Sequence, residues 1–511
     1  LISFSVFAFS FLLYANTINH SYVLDDDVVY LKNKDVQAGL SGIPSILTHS
    51  FIYGFTGHND QSYRPVVLII YAIEKEFFGN NPRTGHFINV LLFALACVLL
   101  YKLINILFSS HVSLLNAHYS LLVALLFASH PIHTEAVANI KGRDDILNFA
   151  FFVLSLTYIL RYVDSEKKKY FGLSVLFFFL ALLCKEMAVT FLAIIPMTVF
   201  FFRGLPLKKI FSGMLAFAGV FILYMLIRGS VLDTVTFEEK MKVVNNALAA
   251  ATNESDRIAT AIFILGKYIL LLFFPHPLSW DYSFNQIPIV SFSDIRVIGV
   301  LCACLGLVIY SVIVLVKKMK SPRPPLQGGE HSPSEVFAYC ILFFFITMSV
   351  VSNLFIMIGS TLGERFLFVP SLAFCIALAV FLLPSSALLK VEKITREKSA
   401  SNEGLAKSLL NIRGGVLFVI IALFSFKTFS RNKDWKNNLS LFTAGVEATP
   451  NSSRAESALG SSYRVMGEKE PDPGKRMEYF QKAIVYYTKA IEILPNKMFR
   501  KSELICSIRI G

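Results

Sequence analysis

Charge is what this chain has least of. Asp, Glu, Lys and Arg make up only 16% of its 511 residues, whereas 55% are hydrophobic and 48 are Phe. A water-soluble chain of this length cannot bury so much apolar surface, so the composition excludes that class and points to a protein that crosses a membrane repeatedly. Cysteine is scarce and badly placed for cross-linking. Six of the seven, Cys97, Cys184, Cys302, Cys304, Cys340 and Cys375, lie in or beside apolar runs, and Cys506 lies outside them. With no CxxC pair there is neither a disulfide framework nor a zinc ribbon, and the cysteines are expected in the core. The net charge of +13 would suit nucleic acid, but the Lys and Arg come in short blocks between apolar runs rather than on one patch. Nucleic acid is therefore excluded as a partner.

What the chain has in quantity is long apolar runs, several near the roughly 20 residues that cross a hydrocarbon core. Spans are expected near 1–15, 87–108, 114–130, 145–161, 170–184, 188–202, 210–228, 295–316, 336–354, 366–384 and 414–430, about eleven in all. The basic blocks at 161–169, 203–209, 317–323 and 390–413 then fall on one side, the cytoplasm by the positive-inside rule, with the N-terminus inside and the C-terminus outside. Residues 258–274 are apolar enough to cross but would invert every later assignment. They are read as re-entrant or interfacial and ended by Pro275 and Pro277, with a true twelfth crossing as the alternative. The expected division is a membrane domain over 1–430, with a first extracytoplasmic loop at 16–86 and cytoplasmic linkers at 317–335 and 385–413, and a soluble region over 431–511. The leading Leu and the abrupt end suggest a piece of a longer protein.

The polar motifs then collect on the outer face, although the charge rule made no use of them. Leu24-Asp25-Asp26-Asp27 packs three carboxylates just beyond the first run. His130-Pro131-Ile132-His133-Thr134-Glu135 ends the third span, and Lys141-Gly142-Arg143-Asp144-Asp145 opens the fourth. A divalent metal is conceivable on the His and Glu, but no third and fourth ligand stand at matching spacing. Lys185-Glu186 interrupts 33 otherwise apolar residues, and ionisable groups at that depth are functional candidates. Arg365 sits where a span meets the outer surface, where its planar fork of donors suits a lipid-linked phosphate. The turn from Pro275 through His276, Trp280 and Asp281 to Ser283 is rigid, aromatic and polar, fit to line a sugar pocket. Beyond the last span, Leu459, Gly460, Tyr463, Ala483, Tyr487, Ala490 and Pro495 fit the tetratricopeptide-repeat spacing if about 11 residues are inserted between the two helices.

Taken together, Leu24-Asp25-Asp26, Ser62-Tyr63-Arg64-Pro65, His86-Phe87-Ile88-Asn89, 130–137, Gly142-Arg143-Asp144-Asp145, Cys184-Lys185-Glu186, 278–283, 364–371 and the terminal repeat resemble the transmembrane and tetratricopeptide-repeat O-mannosyltransferases and their bacterial relatives, of the GT-C glycosyltransferase class. The resemblance implies an all-α fold: a polytopic GT-C helical bundle followed by a repeat solenoid. It also implies an inverting transferase that moves a hexose, mannose first, from a polyprenyl-phosphate donor to a protein Ser or Thr hydroxyl outside the membrane. Asp25 or Asp26 would be the base. Arg64, His86, Arg143, Lys185, Glu186, His276 and Arg365 would hold donor phosphate or sugar, with His130, His133, Glu135, Asp144 and Asp281 in support. The lipid-linked sugar would be the donor, no cofactor is assigned and a divalent metal is left open, and membrane lipid and a protein acceptor docked by the repeats would be the partners. A bacterial inner membrane is the expected location, or the endoplasmic reticulum membrane if the source is eukaryotic. Two readings compete: a relative that transfers another sugar to lipid or glycan, and a non-catalytic membrane scaffold. A third Asp after the usual pair, and Asp145 where the family often has a small residue, leave the catalytic carboxylate open.

Overall fold

The computed structural model describes residues 1–108, 113–232, 243–320, 332–383 and 400–495. Much of the two expected cytoplasmic linkers, the end of the repeat region and Cys506 lie outside the described residues. Among the described residues the chain is helical, without a strand. We number only the helices of eleven residues or more. They are α1 (Ile2–Tyr14), α2 (Pro65–Phe78), α3 (Pro82–Leu107), α4 (Ser113–Ser129), α5 (Arg143–Ser165), α6 (Lys168–Cys184), α7 (Phe191–Arg203), α8 (Leu207–Val231), α9 (Glu254–Phe273), α10 (Ile295–Lys320), α11 (Pro333–Met348), α12 (Ser371–Leu382), α13 (Ala400–Asn432), α14 (Asn438–Ala448), α15 (Ser453–Lys469) and α16 (Pro473–Ile493).

Local chemistry explains where these helices start. Asn81 accepts the Arg83 N–H ahead of Pro82, and Asp472 accepts the Lys475 N–H ahead of Pro473. In each case a side-chain oxygen satisfies an orphan donor, and proline occupies the first turn, where its missing N–H costs nothing. Asn437 and Ser440 form a reciprocal capping box at α14.

A helix lies on each of the eleven expected spans, but among the described residues six stretches are long and apolar enough to cross a membrane by themselves: Pro82–Leu107, Ile140–Ser165, Glu186–Arg203, Lys208–Val231, Ile295–Lys320 and Ile412–Lys436. A seventh arises if the pair Tyr119–Ser129 and Pro131–Ala138, bent by 54° at His130-Pro131, is one broken span. The chain is thus a multi-pass integral membrane protein with six or seven membrane-capable helices among the described residues. Of residues 258–274, all but Phe274 lie in α9, a 20-residue helix that ends at Phe273, two residues before Pro275, and it is not among the six.

The apolar surface left over on these helices faces outward. Phe211, Leu215 and Leu226 on α8 and Phe418 and Phe426 on α13 are two-thirds or more exposed, as suits contact with lipid tails. Cys302 on α10 is likewise exposed, contrary to the expectation of a core position, whereas Cys97, Cys184, Cys304, Cys340 and Cys375 are buried. One end of the bundle gathers the ends of three helices. Arg203 at the end of α7 pairs with Asp164 of α5 at 2.6 Å and donates to the Ile106 carbonyl of α3 at 3.0 Å. The opposite end carries the polar motifs.

Three apolar clusters organise the molecule. The largest fills the helix bundle. A second lies under the first loop, around Val29, Tyr30, Phe51, Val67 and Tyr71. The third joins Val23 of the first loop, Trp280, Trp435, Leu441, Phe442, Ala455 and Leu459, and so welds α14 and α15 to the membrane part. Gly460 meets Tyr487 across the α15–α16 pair, and Leu459, Ala483 and Ala490 are buried in it. The insertion expected between the repeat's two helices is taken up as extra helical turns, so that α15 runs to Lys469 and α16 begins at Pro473.

Candidate functional site

The loops at the polar end converge through a network of ion pairs. Arg64, just ahead of α2, sends Nη1 to Asp144 Oδ2 at 2.5 Å and Nη2 to Glu186 Oε2 at 2.8 Å. Lys185 reaches Asp145 at 2.6 Å and Asp144 at 3.7 Å, and the Lys141 ammonium lies 3.3 Å from Asp144. Asp144 therefore stands among three cations drawn from three separate loops. The chain can do this because each loop is fixed by backbone capture: Asn89 Nδ2 donates to the Asn139 and Ile140 carbonyls, and Asn148 Nδ2 to those of Ala181 and Lys185.

Arg365 completes the cationic rim. Its Nη1 donates to Glu135 Oε1 at 2.8 Å and its backbone N–H to Glu135 Oε2 at 3.0 Å, and the side chain is 22% exposed. Burial works against the guanidinium's charge, but Glu135 and then Asp25 outweigh it and hold it charged.

The three carboxylates of the first loop part company. Asp26 is fully buried, and it accepts the Lys141 N–H at 2.8 Å and the Val23 N–H at 3.0 Å. Burial pushes its carboxyl up to about 7 despite those two donors. Asp27 pairs with Lys32 at 2.6 Å on the surface. Asp25 is half-buried, and among the described residues its carboxylate has no hydrogen bond within the protein. The residue before it, Leu24, has φ = 51°, a left-handed conformation that a branched side chain rarely takes.

Several residues singled out from the sequence land elsewhere. Arg143 is fully buried with one bond on each of its three nitrogens: Nη1 on Glu74 at 2.6 Å, Nε on Asn89 at 2.8 Å, Nη2 on the Gly85 carbonyl at 3.1 Å, and the Tyr71 ring 4.7 Å away. The structure thus places Arg143 in a buried ion pair that ties the start of α5 to α2 and α3. His86 is buried with Nε2 3.2 Å from the Ser21 carbonyl, and His130 Nε2 is 3.0 Å from that of Leu272. His133 Nε2 sits 2.9 Å from Ser371 Oγ. All three join neighbouring segments. Exposed His276 has Nδ1 3.2 Å from the Lys427 ammonium beside the exposed Phe273 and Phe274. Asp281, expected in a sugar pocket, is 5% exposed and accepts from Ser283 Oγ and Ser452 Oγ, each at 2.6 Å, which makes it a peg for the repeat region. Among the described residues no group of three or more His, Cys, Asp or Glu is placed to hold a metal ion.

Sequence reading missed four participants. Lys141 stood inside a quoted motif without a role. Glu74 answers Arg143. Glu364 is fully buried, and its Oε1 accepts from Ser279 N–H at 2.6 Å and Tyr282 Oη at 2.8 Å, with Arg431 Nη2 at 3.9 Å. Asn438 Oδ1 accepts the Leu24 N–H at 2.9 Å. Glu364 and Glu74 are carboxylates in apolar surroundings, where an unpartnered charge is costly, and that cost is the one signal that would have marked them.

The fold and site together define a multi-pass membrane protein whose interhelical loops gather a cluster of ionisable side chains at one end, with the helices after the last membrane-capable one packed against two of those loops. Residues 60–232 match the family described as dolichyl-phosphate-mannose-protein mannosyltransferase, and residues 240–308 match the one described as protein O-mannosyl-transferase TMTC, DUF1736. The chain is 26% identical over 513 residues to protein O-mannosyl-transferase tmtc2 of Xenopus laevis, covering 87% of this chain and 58% of that protein. It is 25% identical over 516 residues to TMTC3 of Mus musculus, with 94% and 50% covered, and 26% identical over 502 residues to TMTC4 of Homo sapiens, with 89% and 62% covered. The chain thus spans half to three fifths of the length of these relatives, and the resemblance to the transmembrane and tetratricopeptide-repeat O-mannosyltransferases, first drawn from short motifs, holds along most of it.

Proposed function

We propose that this protein is a membrane mannosyltransferase of the inverting GT-C type, moving mannose from a polyprenyl-phosphate donor to a Ser or Thr hydroxyl of a protein acceptor on the extracytoplasmic face. The observation that carries the reading is the contrast within the first loop: Asp26 and Asp27 are engaged, while the half-buried Asp25 has no hydrogen bond to its carboxylate among the described residues. A Ser or Thr hydroxyl is a poor nucleophile. Asp25 takes its proton as the hydroxyl oxygen bonds to the anomeric carbon, and the bond from that carbon to the lipid phosphate breaks with its electron pair left on the phosphate. Arg365, with Lys141 within electrostatic reach, meets the charge that develops there. Arg64 and Lys185 keep Asp144 and Asp145 neutralised, which lets two carboxylates stand beside an anionic leaving group.

With no second carboxylate assigned as a covalent nucleophile, the displacement is direct and the anomeric carbon inverts. The eleven-span bundle, its orientation with the polar end outside, and a repeat solenoid that docks the acceptor are parts of the same proposal. The conversion of a panel of radiolabelled polyprenyl-phosphate sugars by the purified full-length protein tests it. Mannose is expected to be transferred to a Ser- or Thr-bearing acceptor with inverted anomeric configuration. Transfer of another sugar only, of mannose with retention, or of none at all would overturn it.

A further inference from the structure

The candidate base sits between two anchors that come from different parts of the chain. On its C-terminal side, Asp26 is tied to the Lys141 N–H of the membrane part at 2.8 Å. On its N-terminal side, Leu24 donates its N–H to Asn438 Oδ1 at 2.9 Å, and Ser21 donates to the Lys436 carbonyl at 3.0 Å. Residues 21–24 are thereby strapped to 436–438, the corner where α13 turns into α14. The same corner carries Trp435, fully buried in the apolar cluster that also holds Val23 and Trp280, and Arg431, which faces Glu364, the chain neighbour of Arg365.

Two details separate Asn438 from an ordinary helix-start asparagine. The capping of α14 is already done by Asn437, so the Asn438 side chain is not needed for its own helix. The group it holds belongs to Leu24, whose left-handed backbone is strained and persists only where surrounding contacts impose it.

We propose that Asn438 is a positioning residue that, by fixing Leu24 in the left-handed conformation, sets the direction of the Asp25 carboxylate, so that the candidate base is placed only while the repeat-bearing corner is seated on the membrane part. This rests on the reading of Asp25 as the base. The bond is an N–H to a side-chain oxygen, so a carboxylate in the same place accepts it equally well. Glycine takes a left-handed φ at no steric cost, so at position 24 it removes the need for the hold.

The test uses the full-length protein in detergent, with donor kcat and KM measured separately for Asn438→Ala, Asn438→Asp, Leu24→Gly and the double variant Asn438→Ala with Leu24→Gly, alongside Asp25→Asn. Asn438→Ala is expected to lower kcat between about ten- and a hundredfold, the usual effect of misplacing a reacting group by about an ångström, with the donor KM unchanged. Asn438→Asp is expected to keep the parent rate, and adding Leu24→Gly to Asn438→Ala is expected to recover most of it. A parent rate for Asn438→Ala, or a loss that neither Asp at 438 nor Gly at 24 recovers, would overturn the positioning role while leaving the base in place. Thermal melting separates unfolding from misplacement, since a merely structural loss would lower the melting temperature and would not be rescued at position 24. Undiminished transfer by Asp25→Asn would instead remove the reading on which this one stands.

Discussion

Two acidic runs, Asp25-Asp26-Asp27 and Asp144-Asp145, look alike on the page and are opposites in the fold. In the second run both carboxylates are buried, and both are neutralised by cations, Arg64 and Lys185 from other loops and Lys141 from the turn just before them. In the first run three adjacent side chains meet three environments: a partly exposed position without a hydrogen bond for Asp25, backbone N–H groups for Asp26, and a surface lysine for Asp27. The same contrast holds for two arginines, Arg143 sealed with Glu74 and Arg365 open at the rim. The difference lies in tertiary contacts, which residue type does not encode.

The sharpest way to break the comparison is to remove the carboxylate charge at 25 and at 26 separately. Asp25→Asn is expected to lower transfer between about a hundred- and ten-thousandfold, the usual range for a general base, with normal expression. Asp26→Asn is expected to lower stability by about 1–3 kcal/mol, because an amide cannot accept from both N–H groups, while transfer per folded molecule falls far less. Activity measured against the folded fraction checks both. The reverse ranking would move the base to Asp26.

The next effect in size tests the sealed arginine. Arg143→Met leaves Glu74 as an uncompensated buried charge and is expected to cost about 3–5 kcal/mol, enough to deplete the folded protein. Arg143→Met with Glu74→Leu is expected to recover most of that loss, since well-packed apolar pairs often replace buried ion pairs without penalty. Fluorescence-detected gel filtration after graded heating reads both. A double variant no more stable than the single one would mean that the Asn89 and Gly85 contacts, rather than the ion pair, carry the site.

How much of this was legible from the chain follows the range of the interaction. Periodicity and apolar run length placed a helix on each expected span, because those signals are local, and the motif runs identified the loops that converge. Which member of a run is free was not legible: Asp25, Asp26 and Asp27 differ only in what folds against them. Arg143 and Arg365 both stand beside an acidic neighbour at the start of an apolar stretch, and only the positions of Glu74 and Glu135 tell them apart. Asn438 lies 414 residues from Leu24, and nothing local at either position announces their bond. Asp281 read as a pocket residue because its aromatic neighbours suit sugars, yet Ser452 from the repeat region took it.

Glu364 offers a smaller effect, visible in the pH dependence of stability. Burial pushes its carboxyl up to about 7, overriding Arg431 and the two hydrogen bonds it accepts. Between the ordinary carboxylate range and 7 the folded protein therefore holds a proton there that the unfolded chain has lost. The stability from this group is complete below about pH 4.5 and falls as pH rises toward 7. Glu364→Gln keeps an oxygen acceptor for Ser279 and Tyr282 and has nothing to titrate. Melting temperatures of the parent are expected to drop by a few degrees relative to this variant between pH 4.5 and 7. Parallel curves for the two would show that Glu364 is ionised throughout, with Arg431 as its full partner.

The smallest effect completes the contrast within the first run. Asp27 and Lys32 are 40% and 61% exposed, and a surface pair of that kind contributes about 0–1 kcal/mol because water solvates both partners well and salt screens what remains. Asp27 also stands in the first turn of the short helical segment Asp27–Leu31, where a negative charge helps by a few tenths of a kcal/mol. Asp27→Asn is therefore expected to leave stability within about 1 kcal/mol of the parent and transfer within about twofold, although it lies two residues from the proposed base. The assay that separates Asp25 from Asp26 reads this variant as well, at low and at high salt. A loss of transfer as large as that of Asp25→Asn would mean that the loop moves during the reaction and brings Asp27 to the donor, and the division of the three carboxylates would have to be redrawn around that second conformation.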